Sequence, residues 1–152
     1  MSPELQKRVL VVDDDENTRS LLVSLIRQRG LTVDEAADGG EALDCLRQHE
    51  YAVVLLDLLM PRADGFAVLE AMKNEEVSSP PVMLVVTGAD RSVVDRLDSQ
   101  RIHGIVRKPF DPQELVSLVV ACVDIRGRGT FETMALAVMS GAPLLAWLQR
   151  LN

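Results

Sequence analysis

A doubly wound α/β fold on a five-stranded parallel sheet is the class this sequence predicts, and three observations predict it. Short aliphatic runs alternate five times with stretches of helical periodicity between Arg8 and Cys122. The central run, Ala52–Leu56, is apolar at every position, the mark of a strand covered on both faces. The residues just past several of the runs are chemically distinctive: Asp13-Asp14-Asp15, Asp57, Thr87-Gly88 and Lys108-Pro109. Alternating strands and helices imply right-handed crossovers, with helices on both faces of the sheet.

The elements follow in order. Arg8–Val12 is a short β-branched run and reads as the first strand. In the helix after it, Leu21, Leu22, Leu25 and Ile26 share a face, with Asp15 as its expected cap and Gly30 as its end. Leu31–Ala37 is a weaker strand, and Gly39–His49 reads as a second helix. Ala52–Leu56 is the third strand, followed by a helix from about Asp64 to Lys73. Val82–Val86 is the fourth strand, and Ser92–Leu97 is a short helix. The fifth strand, Ile102–Val106, contains His103 and Gly104, and His103 is expected as a solvated strand-edge residue. The last helix starts near Asp111 with Pro112 in its first turn; Leu115, Leu118, Val119 and Cys122 lie at i, i+3, i+4 and i+7.

Composition excludes several function classes. At 152 residues the chain is one domain with an appendage. Aromatic residues make up only 3%, so the core must be aliphatic. A net charge of −7 argues against a DNA or RNA surface, which needs a clustered positive field. The N-terminus, MSPELQKR, leads into too short an apolar run for a secretory signal. The uncharged stretch Thr133–Leu148 is shorter than the roughly 20 residues a bilayer needs and holds Gly141 and Pro143, so no membrane partner is expected. Cys45 and Cys122 fit no disulfide or metal spacing and read as small buried hydrophobes of a cytoplasmic protein.

In a parallel sheet of this class, ligands bind outside the carboxyl ends of the strands, where the strand order reverses. The residues after strands one, three, four and five are therefore the candidate site. One acidic residue after a strand is often only a helix cap. Three acids, a hydroxyl and a lysine at the same sheet edge are harder to explain that way.

The segments VLVVDDD, VVLLDLLMPRADG, VVTG and VRKPF, in this order and spacing, resemble the receiver domain of two-component response regulators over about residues 6 to 124. The resemblance implies a flavodoxin-like (βα)5 sheet of order 2-1-3-4-5 within a domain of residues 1–124. It implies a phosphoryl group accepted on Asp57 from a phosphohistidine, with a sensor histidine kinase or phosphotransfer protein as partner and a downstream protein as target. Such a receiver is not a turnover enzyme. Its cofactor would be Mg²⁺, held by Asp14 and Asp57, by Asp13 through water, and by the backbone carbonyl of Leu59. Lys108 would pair with Asp57 and then with a phosphoryl oxygen, Thr87 would donate its hydroxyl, and the Lys108–Pro109 bond would be cis.

The residue types suit that chemistry. Asp57 is a nucleophile for phosphorus. Asp13 and Asp14 crowd its charge unless a cation lies among them. Mg²⁺ prefers oxygen ligands, taking one or two carboxylates and keeping waters and a phosphate oxygen. Lysine is a compact charge with three donors. Phosphoryl transfer needs little beyond positioning and charge neutralisation. Two departures from the family stand out. Ile105 occupies the switch position, coupled to Thr87, where the family often has Tyr or Phe. Leu59 and Ala89, at positions that tune dephosphorylation in the family, cannot orient a water, so a long-lived phosphoryl group is expected. A haloacid-dehalogenase-type phosphatase also pairs an Asp nucleophile with Mg²⁺, but its D-x-D-x-[TV] motif fails at Asn17. The alternative function is a receiver-like interaction module that works without phosphorylation.

Residues 125–152 fall outside the family pattern and read as a linker and a short apolar helical tail. Phe131, Met134, Ala135 and Val138 share one helical face, and Leu144, Trp147, Leu148 and Leu151 another. Exposed, the second stripe would be an interaction liability. A full set of helices around the sheet is expected to leave little apolar surface for it, so a homodimer through the tail is favoured over a docked tail.

Overall fold

In the computed structural model, residues 7–60, 65–74, 80–88, 92, 95 and 102–126 are described. Five parallel strands, β1 (Arg8–Val12), β2 (Thr32–Ala36), β3 (Val53–Leu56), β4 (Val82–Thr87) and β5 (Gly104–Arg107), form one sheet of order β2-β1-β3-β4-β5. The order reverses between β1 and β3, which are hydrogen-bonded neighbours in register Val12↔Leu56. That pairing sets the chain after Val12 beside the chain after Leu56, at the edge where the sequence gathers its acids.

Four helices are described: α1 (Glu16–Gln28), α2 (Gly39–Gln48), α3 (Gly65–Asn74) and α4 (Pro112–Arg126). Strand side chains alternate between faces, so each strand feeds two cores. Val9 and Val11 of β1 pack with Leu22 and Ile26 of α1 and Leu115, Val119 and Cys122 of α4. Leu10 and Val12 point the other way, to Ala42 of α2 and Val68 of α3. Both β3 and β4 are buried throughout, as strands covered on two faces require. Cys122 is fully buried and Cys45 partly so, and neither is disulfide-bonded.

The helix ends follow local chemistry. Asp15 caps α1, accepting from the Thr18 amide and hydroxyl, and Asp38 caps α2, accepting from Glu41 N at 2.8 Å. Gly30, at φ 81°, carries the chain out of α1 in a conformation that suits glycine, and its N–H donates to the Arg27 carbonyl.

Two readings change. The fifth strand begins at Gly104, and His103 is half-buried, not a solvated edge residue. Its N–H donates to the Met83 carbonyl, and its Nδ1 accepts the Met83 N–H at 3.0 Å. The imidazole thus supplies an acceptor to a ladder N–H of buried Met83. The last helix runs to Arg126, two residues past the expected boundary. Most of the expected Ser92–Leu97 helix, Ala89, and the tail from 127 to 152 lie outside the described residues. No described helix is long and apolar enough to cross a membrane.

Candidate functional site

Asp13 leaves β1 with its backbone still in the sheet, its N–H donating to the Ala36 carbonyl of β2. Its carboxylate is then used twice. Oδ1 accepts the Asp15 N–H at 2.9 Å, and Oδ2 receives Lys108 Nζ at 3.1 Å. Asp57 leaves β3 in parallel fashion, its N–H on the Val12 carbonyl. Its Oδ1 accepts the Leu59 N–H at 3.1 Å and its Oδ2 receives the same Lys108 Nζ at 3.3 Å. The ammonium therefore bridges two buried carboxylates, at 3% and 4% exposure for Asp13 and Asp57. Exposed Asp14 completes the group: one carboxylate oxygen from each of Asp13, Asp14 and Asp57 lies within 4.8 Å of the others.

The electrostatics follow from that crowding. Burial raises the Asp57 pKa above the ordinary carboxylate range; the Leu59 N–H and Lys108 pull it down, and neighbouring Asp13 pushes it up again. For Lys108, burial disfavours the ammonium, but the hydrogen bond to Asp13 and the charges of Asp57 and Asp13 outweigh it and raise the pKa. The donor set is all carboxylate oxygen, open to solvent on the Asp14 side, and suits a hard divalent cation that keeps part of its water shell.

Thr87 is fully buried at the end of β4, and its carbonyl accepts the Lys108 N–H at 3.0 Å, tying the ends of β4 and β5 together. The Lys108–Pro109 peptide is cis. Ile105 pairs with Val85 and packs on the cluster of Leu58, Val85 and Ile102. Leu59 is 55% exposed beside the carboxylate it caps.

Two supporting residues are not singled out from the sequence. Arg19, one helical turn into α1, donates from its guanidinium to the Asp13 carbonyl at 2.8 Å and from Nε to Glu35 of β2 at 3.2 Å. It fixes the peptide that aims Asp13. Gly65 starts α3 against the back of the site: a Cβ there would lie 2.7 Å from the Leu58 Cα and collide with the Asp57 carbonyl oxygen. Its presence in the Asp-Gly pair after Asp57 is a signal, although the close approach is visible only in the fold.

Comparison with known proteins agrees with this geometry. The family model described as the response regulator receiver domain matches residues 9–120. The chain belongs to that family. The transcriptional regulatory protein SrrA of Staphylococcus aureus is 33% identical over 117 residues, covering 77% of this chain and 48% of SrrA. The receiver chain thus spans about half the length of the curated relatives it matches. Among solved structures, the response regulator TrrA from Thermotoga maritima, in complex with Mg²⁺-BeF, is 30% identical with a TM-score of 0.66, covering 76% of this chain and 98% of that one. A CheY-like receiver domain from Methanospirillum hungatei JF-1 has a TM-score of 0.73 at 23% identity, covers 81% of this chain and 98% of its own, and supports the fold alone.

Proposed function

We propose that this receiver accepts a phosphoryl group on Asp57 in a Mg²⁺-dependent reaction and signals by the resulting change of surface. The observation that carries the reading is the bridge from Lys108 Nζ to Asp13 and Asp57, with Asp14 closing a three-carboxylate cluster. A structural ion pair needs one carboxylate. A buried pair sharing one lysine beside a third, exposed acid leaves net negative charge that a divalent cation would balance.

The donor is the phosphohistidine of a sensor kinase or phosphotransfer protein, or a small acyl phosphate. An Asp57 carboxylate oxygen attacks phosphorus as the P–N bond of a phosphohistidine, or the P–O bond of an acyl phosphate, breaks; the leaving imidazole keeps the electron pair and takes a proton, and an acyl donor leaves as its carboxylate. Asp14 and Asp57 are assigned as direct Mg²⁺ ligands, Asp13 as a ligand through water, and Leu59 as a ligand through its carbonyl. When bound, Mg²⁺ supplies charge neutralisation at the phosphoryl oxygens. The Leu59 N–H holds Asp57 Oδ1, which leaves the other oxygen facing Lys108. Lys108 then exchanges a carboxylate partner for a phosphoryl oxygen, and the Thr87 hydroxyl donates to another. Phosphate leaves by slow hydrolysis, with no turnover of an external substrate. A cytoplasmic location accords with this reading, since the kinases that serve such receivers present their phosphohistidine there.

Incubation with acetyl phosphate and Mg²⁺ should add one phosphoryl mass, and Asp57→Asn should abolish it. Asp14→Ala should weaken Mg²⁺ binding with the fold intact. Undiminished labelling of Asp57→Asn overturns the assignment, and no labelling of the parent leaves a phosphorylation-independent interaction module.

A further inference from the structure

Leu21 of α1 stands 46% exposed. With Leu22, Pro109, Phe110 and Pro112 it lines a mainly apolar groove of about 490 Å³ between α1 and the β5–α4 turn, with Lys108 also on its wall. The volume is that of a site for a small ligand or a few buried side chains. From the sequence, a tail-mediated dimer is expected because the helices should leave little apolar surface for the tail; this groove is such a surface.

We propose that the groove is the intramolecular docking site of the chain's own C-terminal segment, through Leu144, Trp147, Leu148 and Leu151. Three observations converge on that occupant. These four residues recur at i, i+3, i+4 and i+7, one apolar stripe at helical spacing. Chain length permits the return. The 15 residues of α4 carry the chain about 22 Å away from the groove end of the sheet, and residues 127–143 would reach roughly 26 Å even as continuous helix and further when extended. Charge agrees as well. Arg150 is the one charged residue after Glu132, while Asp15 and Glu16 at the start of α1 and Asp111 and Glu114 at the start of α4 are acidic. A tether this short holds the tail at an effective concentration of order millimolar, which favours its own groove over that of a second copy.

Trp147 is the chain's single tryptophan and reports on the contact directly. In the full chain its emission should be blue-shifted and protected from acrylamide, independently of protein concentration. Leu21→Glu, a change at an exposed helix position, should shift the emission to the red and raise the quenching constant severalfold. Leu148→Asp lies in the tail and leaves the receiver core untouched. It should move amide resonances of residues 18–22, 108 and 110, with the rest of the receiver unchanged. A solvent-exposed Trp147 in the parent overturns the proposal. So does emission that ignores Leu21→Glu, protection that grows with concentration, or resonance changes confined to another face.

Discussion

Asp57→Asn should stabilise the metal-free protein at neutral pH, although it removes one end of an ion pair. The Lys108–Asp57 contact of 3.3 Å gives about 5 kcal/mol of attraction at an effective dielectric constant of ~20. An Asp13 oxygen within 4.8 Å opposes it by at least about 3.5 kcal/mol on the same scale. The balance, at most about 1.5 kcal/mol, is smaller than the several kcal/mol lost in desolvating a carboxylate. Asparagine keeps one oxygen to accept the Leu59 N–H and puts its amide NH2 in place of Oδ2, so the contact with Lys108 is lost while Lys108 keeps Asp13. A gain of roughly 1–2 kcal/mol is expected, or about 4–8 °C in Tm for a domain of this size.

The pH dependence gives a second handle on the same number. Asp57 holds its proton more tightly when folded, so the folded state binds more protons between the ordinary aspartate range and the raised value. Its contribution to stability therefore falls as pH rises through that window and stays low above it. The advantage of Asp57→Asn should be full at neutral pH and shrink on acidification. Urea melts in EDTA across the acidic range measure it. Adding Mg²⁺ should narrow or reverse the gap, since a ligand at a hundredfold its Kd adds about 2.7 kcal/mol to whichever protein binds it. An asparagine variant less stable than the parent in EDTA at neutral pH would refute the electrostatic argument.

Three further outcomes are expected. Lys108→Ala leaves two buried carboxylates without their shared cation and should cost on the order of 3 kcal/mol in EDTA, partly recovered with Mg²⁺; a melt unchanged from the parent would contradict the bridge. Gly65→Ala forces the β3–α3 loop off the Asp57–Leu58 peptide and should cost about 1–3 kcal/mol while slowing acetyl-phosphate labelling, both readable on one preparation. Leu59→Asn puts an amide where an exposed apolar side chain now stands beside the acceptor, and phosphate release after donor removal should be faster than in the parent; equal rates would place control of water elsewhere.

Most of the fold was legible because its signals are local. The unbroken apolar run of β3, the Asp15 cap and Gly30 at the end of α1 are each decided within a few residues. The site was legible for a different reason: strand ends in a parallel sheet converge on one edge, so residues after four strands could be grouped before their distances were known. What the sequence hid depends on contacts between elements. Arg19 sits on a polar helix face like any other arginine, and only the β1–β2 pairing brings Asp13 and Glu35 together beneath it. His103 is not the solvated strand-edge residue expected because its imidazole stands in for a sheet acceptor, a role that follows from where β5 begins.

On the phosphoacceptor reading, the packing of Ile105 bears on how a change at the site would reach the surface. An aromatic ring at that position could swing between two rotamers as Thr87 moves. Isoleucine is branched at Cβ and stiff at χ1, and here it packs against the cluster of Leu58, Val85 and Ile102 that also holds Phe66 and Leu69. Rotamer exchange is therefore a poor relay in this chain. The backbone offers another. The Lys108 N–H is bonded to the Thr87 carbonyl, so a shift of either side chain toward a phosphoryl oxygen pulls on the joined ends of β4 and β5. Ile105, three residues before Lys108, pairs with Val85, two residues before Thr87, within the same ladder. A packed cluster resists continuous deformation, so the strand ends and the apolar side chains behind them would move as a unit. On the phosphoacceptor reading, the signal leaves the site as a displacement of β5 carrying Arg107 and Ile105 together.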